Sequence, residues 1–261
     1  MATPVGCLDT DRCAFGIEAL VSAVPPPSDQ AGSELQMSPI LEAMSPHHGV
    51  FFATVEGSVR KLSHAELEDM LGCTYIHHLI FEEEKILKQR DLWSFPPPVS
   101  PSTPFGNVPT SKKLGCDELL SNAEMRTDLV LVRHVGIVEG VDIGLGLFAS
   151  LPIPANTFLG EYTGVVRKVL PVGDDISYSY ALPMIDPELV IDAKKFGNLC
   201  RLINHSDTEW NSELISVEHE GLVHVVCRTV RDIKPGEQIL IHYGSKYWEA
   251  NSRNCVRLSP L

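Results

Sequence analysis

From Leu129 to Tyr243 the chain is cut into short β-type runs by glycine, proline and aspartate, and this punctuation constrains the fold more than any other feature. Leu129-Val-Leu-Val132, Val135-Gly-Ile-Val138, Phe158–Tyr162, Gly164–Val169, Leu189–Ile191 and Leu222–Val230 are short runs of β-branched, aromatic and other apolar residues of the kind that form strands. They predict small sheets joined by turns, with few helices. No internal repeat is present, so a solenoid or propeller is not expected.

Ahead of residue 129 the texture differs. Residues 1–40 mix Pro25-Pro-Pro27 with small polar residues and read as a poorly ordered tail. Val50-Phe-Phe-Ala-Thr-Val55 suits a short strand. Ser63 and Glu66 make a capping box. Leu67, Met70, Leu71, Ile76, Leu79, Ile80, Ile86 and Leu87 then recur at roughly helical spacing, interrupted by Gly72. Together they predict a helical N-terminal extension over 41–93. Residues 94–115 hold six prolines and read as a linker or wrapping loop, and 117–126 suit one short helix. His47-His48 and His77-His78 invite a metal reading, but neighbours on a helix point apart, so no metal site is assigned.

Composition removes several classes. The net charge of -13 is not the footprint of a direct nucleic-acid binder and suits a basic partner. Seven cysteines, odd in number, widely spaced and without a Cys-x-x-Cys, give neither a disulfide framework nor a zinc cluster, which points to an intracellular chain. No run approaches eighteen apolar residues and the first residues lack a basic segment, so neither a membrane span nor a signal peptide is expected.

Within the β-rich part three pieces are chemically dense. Gly197–Ser206 packs Arg201, Asn204, His205 and Ser206 among apolar residues. Each buried polar atom there needs a partner, since leaving one unpaired costs about 1–3 kcal/mol. Gly236–Gly244 carries Glu237, His242 and Tyr243. Gly144-Leu-Gly-Leu-Phe-Ala149 fits the dinucleotide fingerprint Gly-x-Gly-x-x-Ala, which requires a helix to start at the turn. Pro152 and Pro154 prevent that helix, since an interior proline costs about 3 kcal/mol. The glycines therefore let a turn approach a ligand or another strand.

In order, Gly144-x-Gly146-Leu-Phe-Ala, Gly160-Glu-Tyr-Thr-Gly164, Ser177-Tyr-Ser-Tyr180, Ile191–Asn198 with Arg201-Leu-Ile-Asn-His-Ser206, and Gly236–Gly244 resemble the motifs of SET-domain protein-lysine methyltransferases. The resemblance implies a mainly β (α+β) fold, a β-clip of small curved sheets with a threaded C-terminal segment. It implies a domain over 129–244 with a flanking segment 245–261. It also implies S-adenosylmethionine as methyl donor and a protein lysine as acceptor. By resemblance Tyr243 is the catalytic tyrosine, with Tyr178 and Tyr162 supplying walls and hydroxyls. Gly144, Leu145, Gly146, Tyr178, Arg201, Asn204, His205, Tyr243 and Trp248 are the expected cofactor residues, Arg201 serving more as an anchor than a ligand. No motif precedes Leu129, so the site is expected to need nothing before residue 110.

The sequence departs from the family pattern where Asp207-Thr-Glu-Trp-Asn211 replaces the usual Cys-x-Pro-Asn, so no metal is expected after the domain. His242 stands where aspartate is common before the tyrosine. Ile241 stands where an aromatic is common, which leaves the number of methyl groups open. Glu209, Glu213, Glu218 and Glu220 form an acidic run expected near the peptide face. The implied partner is a basic histone or histone-like tail, without nucleic acid or membrane, and the extension could carry a dimer contact. The expected location is nuclear or cytoplasmic, or, for a chain from a bacterial pathogen, that of a secreted effector. The competing reading is a non-catalytic SET-like module that binds a peptide or partner.

Overall fold

The structure, a computed structural model, describes residues 50–82, 108–138, 140–169, 177–183, 185–244 and 247. Phe51–Val55 (β1), Ser58–Leu62 (β2), the helix His64–Leu71 (α1), Thr74–Tyr75 (β3) and Ile80–Phe81 (β4) come first. Two short helices, Ser111–Leu114 (α2) and Asp117–Ser121 (α3), precede Val130–His134 (β5), Ile137–Val138 (β6), Val141–Asp142 (β7) and Leu145–Ala149 (β8). Phe158–Glu161 (β9), Val165–Lys168 (β10), Ser179–Ala181 (β11), Leu189–Asp192 (β12) and Phe196–Gly197 (β13) follow. A 3-10 turn over Leu199–Leu202, then Asn204–His205 (β14), Ser212–His219 (β15), Leu222–Thr229 (β16) and Leu240–Ile241 (β17) complete the order. The fold is mainly β with a few short helices, as the turn punctuation predicts.

The strands form small sheets ordered β2-β1-β5-β8, β11-β12-β10-β4 and β15-β16-β9, with the pairs β13-β3, β14-β17 and β6-β7. Two of the two-residue hairpins are set by local sequence. Between β1 and β2, Glu56 and Gly57 have φ of 50° and 79°; between β15 and β16, Glu220 and Gly221 have 51° and 81°. Two consecutive positive φ values make the turn whose twist matches the flanking strands.

The N-terminal part departs from the helical extension expected over 41–93. Ser63 and Glu66 do form the capping box, with the Ser63 amide donating to Glu66 Oε2 at 2.8 Å. The helix nevertheless stops after eight residues, at Gly72 with φ 63°. Ile80, which continues the helical spacing, lies in a strand. The reason is non-local: β1, β3 and β4 pair in parallel with β5, β13 and β10 respectively. Sheets this small have edges to be covered, and the N-terminal segment covers three of them. His77 is buried with its ring 5.1 Å from that of Tyr75, an edge-on packing contact. His47, His48, Ile86 and Leu87 lie outside the described residues.

The end of the Pro-rich stretch also packs. Pro109 accepts from the Glu218 amide at 3.0 Å, so the chain seals the outer edge of β15. The buried Ser111 hydroxyl lies 2.8 Å from His219 Nδ1. One core cluster joins β1, α1 and β3 to the β-rich part. Phe51, Ala53, Leu67 and Tyr75 share a cluster with Leu147, Leu159, Ile191, Ile203 and Ile239. The expectation that nothing before residue 110 is needed therefore does not fit the packing.

Candidate active site

Asn198 begins the critical stretch. Its Oδ1 accepts from the Cys200 amide at 3.0 Å and its Nδ2 donates to the Glu161 carbonyl at 2.7 Å, which caps the 3-10 turn and ties it to β9. The turn delivers Asn204 and His205 onto β14, in parallel register with Leu240 and Ile241 of β17.

The segment leading to Tyr243 is held on both sides. Its first half zips to β8: Gly236 donates to Ala149, Ala149 to Glu237, and Ile239 to Leu147. Its second half is gripped by the two ends of the loop 206–211, with Ser206 donating to Ile241 and Asn211 to Leu240. The Asn211 side chain, 1% exposed, accepts from the Leu240 amide at 3.0 Å and donates to the Gln238 carbonyl at 2.8 Å. The three dense pieces of sequence thus meet through residues 236–241. This is the threaded C-terminal segment.

Tyr243 emerges from this grip. Its hydroxyl donates to the Ile203 carbonyl at 2.9 Å, and its amide donates to His205 Nδ1 at 3.1 Å. Its ring lies 4.6 Å from that of Tyr247. Tyr162, buried on the opposite wall, donates its hydroxyl to the Tyr178 carbonyl at 2.7 Å. Burial first, and the nearby Tyr243 second, hold the Tyr162 phenol well above its usual range, so it stays neutral. Both hydroxyl protons are committed to carbonyls, which leaves oxygen lone pairs for whatever enters.

Tyr162, Tyr178, Tyr180 and Tyr243 line one cleft of about 740 Å³, together with Asn204 and His205. Tyr178 is half-open to solvent and its ring sits 4.0 Å from the Arg201 guanidinium carbon. Arg201 also lines the cleft, yet its Nε, NH1 and NH2 donate to the carbonyls of Ala193, Leu71 and Lys194. That is the work of an anchor tying the 3-10 turn to the end of α1.

The Gly144–Gly146 turn is placed differently from expectation. The cleft wall in this region is Val141, Asp142 and Ile143. Leu145 acts through its carbonyl, which accepts from Asn204 Nδ2 at 3.2 Å. Gly146 is glycine for packing: a Cβ there would lie 2.6 Å from Gln238 Nε2 and 2.8 Å from Val135 Cγ2. Trp248 lies outside the described residues.

The acidic run does not act together. Glu213 lines the cleft but is hydrogen-bonded to Arg228, at 3.0 Å from its Nε. Glu218 is taken up at the other end of β15, accepting from the Gly221 amide at 2.9 Å. A half-exposed Trp210 on the cleft was missed; its only signal is an indole in a polar loop next to the Asn204-His205 pair. Asp207 was also missed as a functional group. It stands 3.1 Å from His205 Nε2.

The wall chemistry fits S-adenosylmethionine. Aromatic faces and hydroxyl lone pairs suit a sulfonium cation, and the Ser179 hydroxyl on the cleft is buried with no protein partner among the described residues.

Residues 144–244 match the family model of the SET domain. Among curated proteins, the chain is 32% identical over 117 residues to the histone-lysine N-methyltransferase EZH2 of Chaetomium thermophilum, covering 40% of this chain and 8% of that one. It is 31% identical over 151 residues to histone-lysine N-methyltransferase Set2 of Drosophila melanogaster, covering 54% of this chain and 6% of the relative. The chain thus spans under a tenth of the length of these relatives. Among solved structures, the SET domain of ATXR5 in complex with histone H3 superposes with a TM-score of 0.52 at 20% identity, over 69% of this chain and 85% of that one. That likeness speaks to the fold alone.

Proposed function

We propose that this chain, whose residues 144–244 match the SET-domain family model and whose similar curated proteins are histone-lysine N-methyltransferases, transfers a methyl group from S-adenosylmethionine to the side-chain amine of a lysine in a basic protein, a histone or histone-like tail. The observation that carries the reading is the placement of Tyr243: its hydroxyl is fixed on the Ile203 carbonyl at the cleft where Asn204, His205, Tyr162 and Tyr178 converge. The named activity of the relatives, histone-lysine methylation, supports the substrate class, and a nuclear location follows from it as part of the same proposal.

S-adenosylmethionine supplies an electrophilic methyl group on a sulfonium. The chain's own residues would do the rest. Asn204 and His205, with the Leu145 carbonyl behind Asn204, would hold the cofactor, and Tyr178 would cover it. A lysine must lose its proton to attack, which near pH 7 costs roughly 4–5 kcal/mol from a reference pKa of about 10.4. A channel walled by Tyr162, Tyr178, Tyr180 and Tyr243 strips water from the amine and lowers that cost. The Tyr243 and Tyr162 oxygens, their protons turned away to carbonyls, orient the amine and stabilise positive charge at the methyl.

The test is transfer of labelled methyl from S-adenosylmethionine to purified histones, to basic non-histone proteins and to acidic controls, with mass spectrometry to place the label. Label on a histone lysine is the expected result. Label on arginine, equal label on acidic controls, or none at all refutes the reading.

A further inference from the structure

The loop that replaces the family's usual residues after the Asn-His-Ser triplet sets up a polar arrangement around the tyrosine segment. The Tyr243 amide donates to His205 Nδ1 at 3.1 Å, so that nitrogen carries no proton. The proton of the neutral ring is then on Nε2, which lies 3.1 Å from Asp207 Oδ1. The next amide is held in the same way: Gly244 donates to His242 Nδ1 at 3.1 Å. His242 Nε2 is 3.7 Å from that same Asp207 oxygen, beyond hydrogen-bond length but within ion-pair reach once protonated. The two imidazoles meet edge-on, 5.1 Å apart. Consecutive amides of the tyrosine segment are thus each accepted by a histidine, and both histidines face one carboxylate.

We propose that Asp207 is a positioning residue for Tyr243: it fixes His205 as the Nε2–H tautomer, whose Nδ1 then holds the Tyr243 amide, while His242 holds the following amide and shares the same carboxylate oxygen. The inference rests on the assignment of Tyr243 to methyl transfer. Asp207 is not among the residues that line the cleft, and it acts through His205. Its sequence neighbours show why the device belongs to this chain: Asp207 and His242 both stand where the family pattern has other residues. A hydrogen bond at Nε2 decides which imidazole nitrogen is left to accept. A proton on His205 would turn its acceptor into a donor aimed at the Tyr243 amide. Burial opposes that proton, outweighing the nearby Asp207 carboxylate, and holds the His205 pKa below its ordinary value of 6.5. Among the described residues, the titratable groups shown against the two imidazoles are Asp207 from the loop, Tyr243 beside His205, and each imidazole against the other.

The experiment uses the full chain labelled with nitrogen-15, and compares the parent with Asp207→Ala and Asp207→Asn. Asp207 is partly exposed, and the asparagine keeps an acceptor oxygen of the same shape, so folding is expected to survive. In the parent, the ring nitrogens of His205 should report a protonated Nε2 and a bare Nδ1. In Asp207→Ala the His205 and His242 ring signals and the Tyr243 amide should move. The kcat for histone methylation should fall about ten-fold, a small misplacement of a reacting group, with S-adenosylmethionine affinity changed less than three-fold. Asp207→Asn should restore most of that kcat. The proposal is overturned if the parent shows the other tautomer. It is also overturned if Asp207→Ala leaves the Tyr243 amide and kcat unchanged, or if kcat falls only in proportion to cofactor binding. A parent chain that transfers no methyl at all overturns the reaction assignment instead, while the imidazole and amide signals still decide whether Asp207 sets the position of Tyr243.

Discussion

At the scale of single residues, the geometry separates groups that act at the cleft from groups that only hold it together. Tyr243→Phe removes one hydroxyl and keeps the ring's tilted contact with His205 and its edge-on contact with Tyr247. Methyl transfer should fall roughly 10²-fold, the typical loss of one aligned polar group, while calorimetric affinity for S-adenosylmethionine stays within a few-fold. Parent-like turnover would make Tyr243 a wall residue. A second residue-scale prediction concerns the pair Glu161 and His224, 2.6 Å apart and both largely buried. Burial alone would keep His224 neutral, but the Glu161 carboxylate and the His219 carbonyl together outweigh it and raise the His224 pKa above the ordinary 6.5. The folded protein therefore keeps a proton that the unfolded chain has lost. This stabilisation is complete below about pH 6.5 and fades as pH rises through the raised value. Urea unfolding from pH 6 to 9 should show that loss in the parent and a flatter profile in His224→Gln. His205 works in the opposite sense, since its lowered pKa costs stability only below about 6.5.

At the scale of elements, β14 and β17 are two residues each and could not persist alone. They exist because the loop 206–211 clamps β17 from both sides. Asn211→Ala removes the acceptor of the Leu240 amide and the donor to Gln238 in a fully buried site. It should cost about 2–3 kcal/mol in urea unfolding, because the partners remain buried and unpaired, and cofactor affinity should fall with it. A change under 0.5 kcal/mol would mean that β8 alone holds the segment. The same view reassigns the glycine-rich turn. Its second glycine allows β8 to approach the 236–241 segment, so packing alone already requires a glycine at this position of the pattern.

For the molecule as a whole, the N-terminal strands are structural parts of the β-rich domain. β1, β3 and β4 complete three different sheets, and Leu71 supplies a carbonyl to Arg201 at the base of the cleft. A chain beginning at residue 83 should lose cooperative thermal unfolding, since it exposes three sheet edges and the core around Leu147, Ile191 and Ile203. A sharp transition with intact cofactor binding in that chain would show that the strands are accessory. The net charge of -13 still favours encounter with a basic partner, but Glu213 and Glu218 are already engaged, which leaves long-range attraction rather than a dedicated acidic groove.

The sequence by itself determined the β-rich class with its short, turn-punctuated strands, the Ser63–Glu66 cap, the exclusion of a dinucleotide-type helix by Pro152 and Pro154, and the residues Asn204, His205 and Tyr243 as chemically loaded. Those are local properties: turn residues fix φ, prolines forbid helix, and polar groups in apolar runs demand partners. Only the tertiary structure decided that Ile80 is in a strand, that Gly146 serves packing, that Arg201 is saturated by carbonyls, and that Asp207 stands behind His205. The pairing of Ile80 with Val165, the approach of Gln238 to Gly146 and the Arg201 bond to the Leu71 carbonyl each join parts of the chain far apart in sequence, 130 positions in the last case, whereas the partner of Asp207 is two residues away and its meaning depends on Tyr243, 38 positions beyond His205. Periodicity within a segment carries no record of which distant sheet edge lacks a strand, or of which imidazole nitrogen a later amide will reach.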